Sequence, residues 1–150
     1  MYWTYTIDID GQFWNSDGLQ FDDPETLKFF LEQLEPMPAS NQHGPFVAHC
    51  QGEECRFTAE DVPYIILNFE IKNDQVTLIF PGNYREILNP ETLFVGEKNV
   101  LYCKVREGKC LARFHRKSYL EFTKKIQFDP KTQSYYLPLA DKQYRIKGVI

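Results

Sequence analysis

His43, His49, Cys50 and Cys55 fall within 13 residues, and all four are side chains that zinc accepts. Structural zinc sites favour close cysteine pairs with a matching second pair, whereas here four residues separate Cys50 from Cys55 and His49 abuts Cys50. No metal or other cofactor is therefore expected, with Cys50 packing as a small apolar group and His49 facing solvent. A cysteine nucleophile needs a histidine within hydrogen-bond reach. Cys110 and His115 lie five residues apart in strand-like sequence, a spacing that turns them to opposite faces. No serine stands in a nucleophile elbow, and no glycine-rich phosphate loop occurs. Among the acidic pairs, Asp22-Asp23, Glu53-Glu54 and Glu60-Asp61, adjacent carboxylates on loops are usually solvated. Glu60-Asp61 precedes Val62-Pro63, where a turn must feed a buried strand, and an aspartate there can tie down backbone N–H groups. These residues define the enzyme alternative: a small hydrolase-like catalyst with Glu53, Glu60 and Asp61 acting near Cys50.

The cations suggest a different chemistry. Arg113, His115, Arg116 and Lys117 run directly into Ser118, which reads as the N-cap of a helix, with Glu121 at capping-box spacing. Free N–H groups, the positive end of a helix dipole and up to three cations would meet there, which suits a phosphate or a carboxylate. Arg113, Arg116, Lys117 and Ser118 are thus the candidate anion-binding residues. Charge is divided along the chain. The first 75 residues carry 14 Asp/Glu against three Lys/Arg, and the last 75 carry seven against 14. An acidic first half and a pI near 5.4 disfavour a long polyanion, so nucleic acid is not expected as a partner.

What must position these residues is a β-rich chain. With 150 residues, 43% hydrophobic and 25% charged, it has ordinary globular composition and an aromatic excess of 15%. A chain of this length folds without disulfides. Four cysteines make no disulfide framework, and Met1–Tyr5 lacks the charged and apolar regions of a signal peptide, so free thiols and a cytoplasmic setting are expected. No apolar run reaches membrane-span length, and no membrane association is expected.

Tyr2–Ile9 and Gln12–Trp14 flank Asp10-Gly11, a hairpin signal. Asp23 can cap a helix that starts at Pro24, and Leu27, Phe30, Leu31 and Leu34 make a single apolar stripe before Pro36-Met37-Pro38 ends it. Residues 39–45 read as a polar loop, Phe46–His49 and Arg56–Thr58 as strands, and Tyr64–Ile71 and Gln75–Phe80 as a strand pair around Asn73-Asp74. Residues 82–98 read as an irregular connection. Val100–Val105 and Lys109–Phe114 are then strands, and Tyr119, Phe122, Thr123 and Ile126 form a second stripe. Ser134–Leu139 and Gln143–Val149 close as a hairpin. The pattern predicts an α+β fold, mainly antiparallel, built as two similar β-β-α-β-β units over 1–61 and 62–150, each with one helix packed on a sheet.

Several short patterns resemble a known family. They are Asp8-x-x-Gly11-Gln12, Asp23-Pro24-x-x-Leu27 with Phe29-Phe30 and Leu34, Cys50-x-x-Glu53, Glu60-Asp61-x-Pro63, and Leu101-Tyr102. Together they look like a domain-of-unknown-function family shared by bacteria and eukaryotes that has a small mitochondrial animal member. The likeness spans most of residues 5–126. It departs at Gln51, where the family pattern places a glycine, and at Arg56-Phe57, one residue later than the family's Asn-Phe. A fainter resemblance ties Gly11–Gly18 and Glu60–Tyr64 to a second bacterial family with a two-unit β-rich fold. Neither resemblance implies a reaction or cofactor; Cys50, Glu53, Glu60, Asp61 and Pro63 carry over only as motif positions. The functional expectation is a non-enzymatic binding or regulatory module for a small anion or a protein partner, held between the two units.

Overall fold

The computed structural model describes Tyr2 to Gly148 and is an α+β protein of four sheets and two helices. The expected N-terminal hairpin forms from β1 (Tyr2–Ile7) and β2 (Phe13–Asn15), followed by a short β3 (Gln20–Phe21). Helix α1 (Pro24–Gln33) begins where the sequence places it. The Asp23 carboxylate accepts the Thr26 N–H at 3.1 Å and caps it, and Leu27, Phe30 and Leu31 are buried. Three strands follow: β4 (Glu35–Asn41), β5 (Gly44–Cys50) and β6 (Glu53–Ala59). The first sheet runs in the order β3-β2-β1-β6-β5-β4, and its β1 lies parallel to β6, with Ile7 opposite Ala59. Phe30 packs onto it edge-to-face against Phe57, ring centres 4.9 Å apart.

Residues 39–45 depart from the polar-loop expectation, because 35–41 form the edge strand of this sheet. Pro36 and Pro38 end the helix yet are tolerated there, since an edge strand has N–H positions that need no ladder partner.

Residues 60–63 carry the chain from the first sheet to the second. The predicted strand Tyr64–Ile71 is broken at Leu67 into β7 (Tyr64–Ile66) and β8 (Asn68–Lys72), which belong to different sheets. The break has a local cause. Tyr64, Ile65 and Ile66 are all fully buried, and beyond them the His115 carbonyl that would extend the ladder is taken by the Tyr119 N–H at 2.8 Å and the Ser118 hydroxyl at 3.0 Å, while the Leu67 N–H turns to the Ile79 carbonyl at 2.8 Å. Strand β8 instead pairs with β9 (Gln75–Ile79), and β9 with β10 (Arg85–Ile87). The stretch 82–98 is more regular than expected: besides β10 it holds β11 (Phe94–Val95) and short 3-10 turns. Next come β12 (Leu101–Val105), β13 (Cys110–Phe114) and α2 (Arg116–Thr123). Finally β14 (Gln127–Asp129), β15 (Ser134–Leu139), β16 (Lys142–Arg145) and β17 (Lys147–Gly148) complete the described chain; Val149 of the predicted hairpin lies outside it. The second sheet is ordered β17-β11-β12-β13-β7, and β14-β15-β16 stand as a separate sheet.

The repeat of element order is not matched by a repeat of pairing. Strands β4–β6 after α1 join the sheet that contains β1, whereas after α2 strands β14–β16 form their own sheet and β17 alone joins the second sheet, parallel to β11. Both helices do bury an aromatic: Phe30 is 2% exposed and Phe122 0%, the latter 4.6 Å from Phe114 and 5.2 Å from Phe69, ring centre to ring centre. A single apolar cluster runs through all four sheets. Neither helix is long and apolar enough to cross a membrane.

Candidate functional site

Where the turns of the first sheet meet one face of the second, they enclose a cleft of about 700 Å³. The β4–β5 turn contributes Gln42 and His43, the exit from β6 contributes Glu60 and Asp61, and β12 and β13 contribute Tyr102 and Arg113. Alternation places Tyr102 and Arg113 on this face, because they are direct cross-strand partners and neighbouring Cys103 and Ala112 point into the core.

Asp61 is the centre of the cluster. One of its oxygens accepts the Tyr102 hydroxyl at 2.6 Å and an Arg113 Nη1–H at 2.7 Å, and the other accepts Gln42 Nε2–H at 2.9 Å. The ion pair is sheltered, with side chains 15% and 19% exposed. Burial first, and then donation to the Asp61 carboxylate and that carboxylate's charge, push the Tyr102 phenol up to about 12. Arg113 Nε is buried and has no hydrogen-bond partner among the described residues. Beside it Phe94 and Tyr102 stack with ring centres 5.2 Å apart, forming a flat aromatic wall, and Lys98 and Glu97 lie further along the lining. Glu60 is committed elsewhere in part: it accepts the Ile9 backbone N–H at 3.2 Å, closing the β1–β2 turn onto the exit of β6.

A second polar junction ties the two halves of the chain. Helix α1 has no basic residue in its last turn. Its final carbonyls are met from a distance by Arg106, in the β12–β13 turn, whose Nη1 donates to Leu34 at 2.7 Å, to Leu31 at 3.3 Å and to the Tyr64 oxygen at 3.0 Å. Burial works against the guanidinium's charge, yet the Tyr64 hydrogen bond and nearby groups outweigh it and hold Arg106 above its ordinary value.

The expected anion site at α2 is arranged differently. Ser118 is not the N-cap; the cap is His115, whose Nδ1 accepts the Lys117 N–H at 3.3 Å. Because Ile66 captures the His115 backbone N–H, the helix starts earlier than the Ser118–Glu121 spacing suggests. Ser118 is buried within the helix and spends its hydroxyl on the Ile66 carbonyl at 2.6 Å, while Glu121 pairs with Lys124 instead of closing a capping box. With Nδ1 an acceptor, His115 carries its proton on Nε2 and donates it to Asp10 at 3.0 Å. Arg116 and Lys117 stand exposed on the first turn, and Arg113 belongs to the cleft.

The motif positions also separate. Cys50 and Glu53 face each other at the hairpin end of β6, where Glu53 accepts the Trp3 indole N–H at 2.7 Å, while Glu60 and Asp61 follow its other end. A seven-residue strand lies between them, about 20 Å at the usual rise. Glu53, Glu60, Asp61 and Cys50 therefore do not form one constellation, and Pro63 is a buried link into β7. His43 and the His49-Cys50 pair likewise sit at opposite ends of β5. Burial pushes the Cys110 thiol up to about 12 and raises Cys55 and Cys103, away from the reactive thiolate.

An α+β frame with a polar cleft between a sheet edge and a sheet face is the class of protein that the coordinates define. Two solved bacterial proteins share the fold. A DUF1285 family protein from Silicibacter pomeroyi DSS-3 superposes with a TM-score of 0.68 and 15% identity over 97% of this chain and 80% of its own. A DUF1285 family protein from Shewanella baltica OS155 gives 0.63 and 15%, over 80% of this chain and 90% of its own. At that identity the likeness is one of fold, shared with an uncharacterised bacterial family. No known protein-family profile matches the sequence. No curated protein matches it either.

Proposed function

We propose that this protein is a non-enzymatic binding module whose cleft takes a small ligand bearing a carboxylate or a phosphate. One observation carries the reading: a guanidinium has five N–H donors, and Arg113 spends only one of them on Asp61 while its buried Nε has no partner among the described residues. A planar anion satisfies such leftover donors in pairs, which is the geometry arginine supplies best. Lys98 adds a charge along the lining, and the Phe94–Tyr102 stack offers a flat surface for an unsaturated or ring-bearing portion. Glu60 and Glu97 in the same lining favour a ligand that also carries a donor or cationic group.

Isothermal titration of the full chain with inorganic phosphate, nucleotides, mono- and dicarboxylates and amino acids tests this. Binding by at least one such compound is expected, and Arg113→Lys, which keeps the charge and the Asp61 pair but loses the fork, should weaken it about tenfold. A compound bound equally by wild type and Arg113→Lys, or no binding across the panel, overturns the assignment.

A further inference from the structure

On the face of the second sheet opposite the cleft lies a different surface. The alternation that turns Phe94 and Tyr102 toward the cleft turns Val95 and Leu101 the other way. There they meet Tyr119 and Ile126 from α2 and its exit, and Tyr135 and Ile146 from the β14–β15–β16 side, around a groove of about 560 Å³. Among the described residues no charged side chain lines it. Its mouth is aromatic: Tyr135 and its cross-strand partner Phe128 pack with ring centres 5.0 Å apart, yet remain 59% and 49% exposed. Two large neighbouring rings left in water are a signature of a covered surface.

The elements that build the groove are strongly basic. Residues 116–148 hold eight Lys/Arg against three Asp/Glu, every one of those cations is exposed, and among the described residues only Lys124 is ion-paired, with Glu121. We infer that the groove docks an acidic segment of another protein, with apolar side chains entering between α2 and β15 and aspartates or glutamates meeting the surrounding cations. Tyrosine-edged apolar grooves with a charged rim are the usual anatomy of peptide recognition, in which the aromatic anchors hold and the charges steer. This site shares no lining residue with the cleft, so it stands or falls independently of the ligand proposed above.

Panning a phage-displayed library of random peptides against the full chain, then measuring the selected peptides by fluorescence anisotropy, tests the inference. The expected peptides combine Asp/Glu with Leu, Phe or Trp. Their affinity should fall about tenfold with Tyr135→Ser, which alters an exposed ring and leaves the core intact, and fall similarly with Lys125→Glu or at high salt. Selected peptides without acidic enrichment, or peptides indifferent to both substitutions, overturn it. So does sedimentation showing a dimer that Tyr135→Ser dissolves, which would make a second copy the occupant. Binding of phosphatidylserine vesicles in place of peptides, or peptide binding that emerges only when residues 149–150 are deleted, would also refute it.

Discussion

Replacing Arg106 with methionine removes the guanidinium and keeps most of the stem, so the cost reports mainly the capping of α1 from across the fold, since Glu35, 3.5 Å from Arg106 and half-exposed, keeps Lys109 at 3.1 Å. In wild type its Nη1 serves the carbonyls of Leu34 and Leu31, both on fully buried residues, and the Tyr64 oxygen. The Leu31 carbonyl keeps a donor in the variant, because the Tyr64 hydroxyl also bonds it. The Leu34 carbonyl loses the donor at 2.7 Å and is orphaned, at about 1–3 kcal/mol, and the charge-assisted bond to Tyr64 adds about 1.5–3 kcal/mol. Methionine offsets part of this, since it spares the desolvation of a guanidinium that is only 13% exposed. The net expectation is a loss of about 3 kcal/mol, or a fall in Tm of about 6–12 °C for a chain of this size. Urea unfolding followed by tryptophan fluorescence and far-UV circular dichroism measures it. Tyr64→Phe and the double variant complete a cycle that should show coupling of about 1 kcal/mol or more, because the two side chains share a partner. An Arg106→Met protein whose midpoint and slope stay at wild-type values, or a strictly additive cycle, refutes the idea that this contact joins α1 to the second sheet.

Two further outcomes follow from single residues. Gly82 has φ +71°, and a Cβ there would sit 2.6 Å from both the Lys28 nitrogen and the Pro24 oxygen of α1, whereas Gly108 has φ +86° and open space. Gly108→Ala should cost about 1 kcal/mol through backbone conformation alone, and Gly82→Ala about 1–3 kcal/mol more through the clash; equal costs in chemical denaturation would contradict the close approach. Tyr102 is an acid favoured neutral in the fold, with its value raised from 10 to about 12, so its contribution is whole below pH 10 and drains away between pH 10 and pH 12. Tyr102→Phe should therefore lose less stability than wild type over that alkaline range. Parallel pH profiles of the urea midpoint would count against it, with Tyr64 and Tyr84, also raised by burial, titrating in both proteins.

How much of this was legible in the residues depends on how far apart the partners stand. Helix α1 was readable end to end, since Asp23, Pro24 and the stripe from Leu27 to Leu34 act within a turn or two of one another. The Asp10-Gly11 hairpin was readable for the same reason. The start of α2 was misread because two competing caps lie three residues apart, and the choice between His115 and Ser118 is made by the Ile66 carbonyl, 49 residues upstream of the nearer. Strand β4 was missed because proline-rich sequence looks like loop, and only its place at a sheet edge makes it a strand.

For the site, Arg113 and Asp61 were both singled out from sequence, but for separate roles. Their pairing across 52 residues, the Tyr102 and Gln42 bonds that fix Asp61, and the Arg106 junction left no local trace. Sequence by itself determined the class of fold, the one-sided helices and the charge division, because composition, periodicity and caps are properties of neighbours. Tertiary structure decided the parallel pairing of β1 with β6, the crossing at residues 60–63 and the cleft that results. Those depend on which distant surfaces bury each other best once the chain has closed its long loops, a collective balance that no short stretch encodes.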